Sequence, residues 1–406
     1  MATSGGSDYT GRAMKQARRF AGSLVLVASI AALGCGPDKD TGKPLDAGAP
    51  DAATQPIVGG KLGAALASAA AAANSSAPAK GAAKGDDAPP ENGIFGPGDA
   101  DRRQAKDAPP KIEVISEGAE PRISFATKLD APEQKVTVNV GIRINQGRLP
   151  GIDFALSIKP DKAKADKPKD GAAAAPATAT PPGSVRFAAT VAGTSVPPAA
   201  GIPKDFADAV AKLKGAVVRY DLSPTGAATN FSMEVPKDAG EGLEIVLDAL
   251  VDAISMFTVP LPAKPIGKDG YWIASDRART AAGIEVVRYR VFKIVGADDT
   301  GVTLSVDIRQ YSADQKLKLD TGTGQKNEMG MDAFDSQGKG TVVWKTDTFL
   351  PARGDFSERV AARIALPQGA QQPGGRAPVV QTEVTGAVGG GAPAAPASSA
   401  APEKKP

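Results

Sequence analysis

Val136-Thr-Val-Asn-Val-Gly-Ile-Arg-Ile144 puts a large apolar residue at every second position, and Val302-Thr-Leu-Ser-Val-Asp-Ile308 does the same farther along the chain. Period two sends alternate side chains to opposite faces of an extended backbone. One buried and one solvated face is the habit of antiparallel sheets. Working outward, segments 122–128, 152–158, 185–191, 216–221, 271–274, 284–295, 341–346, 358–365 and 379–385 also read as strands. Gly296-Ala-Asp-Asp-Thr-Gly301 joins two of these runs as a hairpin loop.

Two stretches switch to helical period. Phe206, Val210 and Leu213 follow Pro203; Leu243, Val246, Leu247, Leu250, Val251 and Ile254 form a longer stripe. Glu244, Asp248 and Asp252 line another side of that second helix and read as its solvated face, and Pro260, Pro262 and Pro265 end it. The fold class is therefore α+β: a large, curved antiparallel sheet with two helices on one face.

The patterned region runs from 111 to 386 and accounts for only part of the 406 residues. Residues 36–110 are rich in Ala, Pro, Gly and Asp and hold one aromatic residue, Phe95. Such a chain buries too little apolar surface to offset its ordering entropy, so it reads as a disordered tether. Segment 160–183 interrupts the domain with a Lys/Asp run and then Ala, Pro and Thr, an expected disordered insertion between two strands. Residues 387–406 form a low-complexity tail.

Arg12, Lys15, Arg18 and Arg19 precede an apolar run from Ala21 to Leu33, and Gly34-Cys35 follows. Thirteen helical residues reach about 20 Å, too short for a bilayer core of about 30 Å. Basic, apolar and small-residue segments in that order make an export signal. Ala32-Leu33-Gly34-Cys35 resembles the lipobox of bacterial lipoproteins. The resemblance implies cleavage between Gly34 and Cys35 and a diacylglyceryl group on the Cys35 sulfur. Several acyl chains make a stable anchor where one is marginal. The expected location is the cell envelope, on the periplasmic face of the outer membrane or the cell surface.

Charge follows from the same division. The full chain is +3, with 48 basic and 45 acidic residues; the first 34 residues hold four of the bases and one of the acids, which leaves 44 of each. A balanced mature chain lacks the clustered basic surface a nucleic acid requires.

With no histidine and one cysteine, Ser-His-Asp and Cys-His catalysis and His-bearing zinc sites are excluded. No cofactor or metal is expected. Asp320-Thr-Gly322 looks like an aspartic-protease loop, and Asp299-Thr-Gly301 repeats it. The two copies lie too close in sequence to belong to separate lobes, and the first sits in the expected hairpin. Ser336-Gln-Gly-Lys339 has Ser-x-x-Lys spacing, but Gly338 and Gly340 deny it a stable helical turn.

The densest aromatic grouping is Trp272, Tyr289, Phe292 and Trp344. These residues belong either to a filled core or to an apolar ligand cavity within the curved sheet. A helix followed by Pro262-Ala-Lys-Pro-Ile-Gly-Lys-Asp-Gly-Tyr-Trp272 and long strands resembles a family of exported bacterial proteins of unknown function. More loosely, the arrangement is similar to periplasmic lipoprotein- and lipid-carrier folds. Both resemblances imply an exported β-rich fold and carry over no catalytic residue. The expected function is non-catalytic binding of a hydrophobic ligand or an envelope protein. The alternatives are a carboxylate-dependent hydrolase and a purely structural envelope protein.

Overall fold

The computed structural model describes residues 89–106, 108–161, 182–197, 204–239, 243–299, 301–320, 326–365 and 377–389. The expected export signal, Gly34, Cys35, residues 36–88 of the expected tether, residues 162–181 of the expected insertion and the expected tail beyond 389 lie outside the described residues.

The strands are β1 (Lys111–Ser116), β2 (Ala119–Ile123), β3 (Gln134–Ile144), β4 (Gly147–Arg148), β5 (Ile152–Pro160), β6 (Val185–Ser195), β7 (Val217–Leu222), β8 (Ala228–Glu234), β9 (Ile266–Lys268), β10 (Tyr271–Arg279), β11 (Glu285–Asp298), β12 (Gly301–Ser312), β13 (Lys316–Asp320), β14 (Lys326–Trp344), β15 (Arg353–Ile364) and β16 (Val379–Val388). The helices are α1 (Asp99–Arg103), α2 (Lys204–Ala211) and α3 (Glu244–Phe257). One 14-stranded sheet runs in the order β1-β10-β11-β12-β14-β15-β16-β3-β5-β6-β7-β8, with β4 and β13 paired beside this path; β2 and β9 form a separate pair. The sheet is not closed, and β1 and β8 are its edges.

The quoted alternation is realised along β12 and through the middle of β3. Val302, Leu304, Val306 and Ile308 are buried while Asp307 is exposed, and Val138, Val140 and Ile142 are buried on β3. The expected hairpin is present, with Asp298 paired to Gly301. Pro160 of β5 pairs with Phe187 of β6, so the chain described on either side of the expected insertion belongs to one strand pair.

The inner face curls around α3. In a flat sheet the five spacings from β11 to β3, at about 4.8 Å each, would separate those strands by about 24 Å. Yet α3 lies against β3 and β16 and also receives hydrogen bonds from side chains of β11. One helix cannot meet both without curvature. Glycine makes one of these contacts possible. Phe356 on β15 is paired with Gly340 on one side and Gly386 on the other, and a Cβ on Gly386 would sit 2.2 Å from the Phe356 ring. The ring is free to lie over Gly386, where it meets Phe257 of α3 edge-on with centroids 5.2 Å apart.

Four expectations need correction. The folded chain reaches back past Lys111 at least to residue 89. Ile94, Phe95 and Ala100 are buried, Phe95 N–H donates to Ser312 O, and Phe334 N–H donates to Asn92 O. Three buried apolar side chains and backbone pairing outweigh the poor composition there. At the other end, Ala387 and Val388 belong to β16 and not to the tail, because Val388 is buried and paired with Gly354 and Val138.

Segment 122–128 leaves the strand after Ile123. Thr127 N–H donates to Pro224 O and Lys128 N–H to Thr346 O, so its backbone is satisfied by two different loops instead of a ladder. Finally, Asp252 is 2 % exposed, not solvated. Its partner is Arg288 on β11, 3.5 Å away.

Candidate functional site: a buried ionic belt beneath helix α3

The expected aromatic site is only partly assembled. Trp272 stacks on Phe292 across the β10–β11 pair, with centroids 5.5 Å apart. Phe125, from the segment after β2, bridges Trp272 at 5.7 Å and Trp344 at 5.2 Å. Trp272 Nε1–H donates to Pro260 O at 2.8 Å, which satisfies its one polar atom in the core. Tyr289 is elsewhere. Three residues from Phe292 in an extended strand, it falls on the opposite face, edge-on to Tyr311 at 5.8 Å and beside Phe95 and Ala100. Phe125 thus ties Trp344 to the stacked Trp272 and Phe292. A crevice bordered by Thr127, Trp344, Phe349 and Leu350 has a volume of about 10 Å³, near the lower limit for one water.

The chemistry lies on the same face, farther along the strands. Each inner row passes from apolar to polar and back. On β10 it reads Trp272, Ala274, Asp276; on β11 Val286, Arg288, Arg290, Phe292; on β15 Phe356, Glu358, Val360. With Gln310 of β12, Ser336 of β14 and Thr382 of β16, these residues form a buried polar belt across neighbouring strands. The main core, with Trp272, Phe356 and α3, lies on one side of it. Ile284, Val286, Phe334, Val360 and Ile364 form a second apolar cluster on the other.

Arg288 is the hub. It pairs with Asp276 across the strands, donating from Nε to Oδ1 at 3.0 Å and from Nη2 to Oδ2 at 2.7 Å. The same Nη2 donates to Ser255 Oγ of α3 at 2.7 Å, and Nη1 lies 3.5 Å from Asp252 Oδ1. Arg290 Nη2 donates to Asp276 Oδ2 at 3.0 Å. Its Nη1 donates to the carbonyls of Ser255 at 3.0 Å and Thr258 at 2.8 Å. Those carbonyls belong to the last turn of α3, where backbone acceptors lack helical partners and cations are favoured. Ser336 Oγ donates to Glu358 Oε1 at 3.3 Å.

Burial and charge pull these carboxyls apart. Burial opposes the charge on Asp276, but Arg288 and Arg290 together hold it below the usual carboxylate range. Burial pushes Asp252 up to about 6 against the attraction of Arg288. It pushes Glu358 up to about 8, with the charge of Asp252 acting in the same direction and Arg288 opposing. Carboxyls separated in this way resemble an acid and base pair, but both Asp252 and Glu358 are 2 % exposed.

Other motifs are placed plainly. Ser336 and Lys339 sit on opposite faces of β14, Ser336 buried and Lys339 exposed, so they cannot act together. Asp299 lies in the β11–β12 turn; residues 321–325, with the rest of the second Asp-Thr-Gly, lie outside the described residues. Among the described residues no cluster of acidic or sulfur ligands could hold a metal ion, and no helix is long and apolar enough to cross a membrane.

Sequence reading missed the belt although its signal was present. The alternation that marks the strands also places Asp276, Arg288, Arg290, Gln310 and Glu358 in the inward register. No protein-family profile matches the chain, and comparison with curated proteins finds no match.

Proposed function

We propose that the protein is a cell-envelope lipoprotein, anchored through Cys35, whose folded region is a non-catalytic carrier for an apolar ligand taken up between α3 and the curved sheet. The observation that carries this reading is how α3 is held. The helix lies in the curve of a sheet left open between β1 and β8, joined to it by a buried ion pair and hydrogen bonds from two buried arginines as well as apolar contact. A buried ionic set adds little net stability over apolar packing of the same volume, while fixing geometry. It suits an element that must sit in one place and also be able to leave it. The lipobox-like Ala32-Leu33-Gly34-Cys35 supports the anchor and the location.

Native mass spectrometry of the full chain carrying Cys35→Ser, purified without detergent, tests the carrier. The expected result is a reproducible added mass that disappears in organic solvent. A clean mass, with capture of an envelope protein in its place, overturns it. Labelled palmitate should enter the wild-type chain and not the Cys35→Ser variant; equal labelling of both removes the anchor. A carboxylate-dependent hydrolase is the second reading, favoured by the separation of Asp252 and Glu358. It predicts an activity lost in Asp252→Asn without loss of fold.

A further inference from the structure

Around Glu358 the charges and hydrogen bonds do not balance. Glu358 Oε2, Asp252 Oδ2 and both terminal atoms of Gln310 are buried and make no hydrogen bond of ordinary length among the described residues; the Gln310 amide lies beside Glu358 and the Ala281 backbone beside Asp252. Such orphaned atoms are costly. Every element packed here can be accounted for. Helix α3 presents Asp252, with Asp248 one turn earlier lying 3.9 Å from Arg279. Strand β10 presents Asp276, β11 presents Arg288 and Arg290, β12 presents Gln310, β14 presents Ser336, and β16 presents the uncharged Thr382 and Val384. Three carboxyls thus face two guanidiniums. With all of them ionised, the site carries one negative charge in excess. A single proton removes that charge and turns an oxygen that can only accept into a donor.

We propose that Glu358 is a protonated carboxylic acid in the folded protein at neutral pH, that its O–H serves the orphaned acceptors beside it, and that this proton holds α3 on the sheet. When α3 opens, Glu358 meets water and gives the proton up; when α3 closes, the proton is taken back. Mildly acidic solution therefore tightens the helix and alkaline solution loosens it. Because α3 occupies the place proposed for the apolar ligand, loosening would admit that ligand. This last step rests on the carrier reading, and the proton does not.

Two measurements on the full-length chain test the proton. Infrared difference spectroscopy should show a buried carboxylic acid C=O band at neutral pH that is absent from Glu358→Gln. Hydrogen exchange of the α3 amides, corrected for intrinsic rates, should report opening that rises about tenfold per pH unit between about pH 6 and about pH 8 and then levels. In Glu358→Gln, which keeps the neutral shape, this rise should vanish. The absence of the band, or α3 opening independent of pH in the wild type, overturns the proposal. The wild-type titration stands alone should the variant not fold. Uptake of a fluorescent fatty acid over the same range separates the two readings. Exchange as expected with no uptake at any pH refutes the carrier and leaves the proton on Glu358.

Discussion

Helix α3 meets the sheet through two layers of opposite character. Toward Phe257 and Phe356 the contact is aromatic and apolar; toward Ser255 and Asp252 it is a buried polar set of Asp276, Arg288, Arg290 and Glu358. The apolar layer gains from every methylene it excludes from water and is indifferent to pH. The ionic layer starts from a desolvation cost that its pairs roughly repay, so it selects one position for the helix and responds to protons. The same helix is thus stabilised by one layer and positioned by the other.

The sharpest way to break the comparison is to remove one member of the belt. Arg288→Met leaves Asp276 and Asp252 buried without their main partner and should cost about 3–5 kcal/mol in chemical denaturation. Replacing Asp252, Asp276, Arg288, Arg290 and Glu358 together by apolar residues of similar volume should restore most of that loss. If the joint variant is as unstable as Arg288→Met, the belt is more than a positioning device.

The pH response comes next. Glu358 and Asp252 have folded-state values of about 8 and about 6, above their ordinary 4.5 and 3.8. The unfolded chain therefore releases these protons first as pH rises. Stability should fall between about pH 4 and about pH 8, by an amount on the order of a few kcal/mol. Asp276, held low, acts in the opposite sense: its contribution is present above its ordinary 3.8 and is lost as pH falls through its lower folded value. Thermal melts across pH should accordingly peak in mildly acidic solution, and Glu358→Gln should flatten the fall above about pH 6.

The apolar layer offers a smaller and pH-independent effect. Gly386→Leu would drive a side chain into the Phe356 ring, 2.2 Å from the position of its Cβ, and should cost about 1–3 kcal/mol. Away from both layers, Arg363→Ala removes an exposed pair with Asp332 and should change stability by under about 1 kcal/mol.

Much of this architecture was readable before any coordinates. Val302 to Ile308 and Val136 to Ile144 announced antiparallel strands, and the stripe from Leu243 to Ile254 announced α3. Strand β14 was read only near its end, because Gly330, Gly338 and Gly340 erase the alternation along its length. A Cβ on Gly340 would lie 2.4 Å from Asp355 O, so that glycine answers a close approach of the neighbouring strand, which composition cannot reveal. The residues around Phe95 read as tether because their few apolar side chains find partners distant in sequence, such as Tyr311 and Phe334. Of the aromatic grouping, Trp272, Phe292 and Trp344 share the inner face, while Tyr289, three residues from Phe292, has the opposite parity. Asp252 read as solvated because an acidic stripe normally is; its burial depends on Arg288, on a strand that helical periodicity alone does not place beneath it.

Hydrogen exchange of the unmodified full-length chain, comparing α3 with β11 and β12 at one pH, tests the account most directly. Positioning by a belt of little net stability predicts that the α3 amides open in a step of lower free energy than the strand amides, which exchange only on global unfolding. Equal protection of helix and strands would show α3 to be an inseparable part of the core, and would contradict both its role as a displaceable element and the place assigned to the ligand.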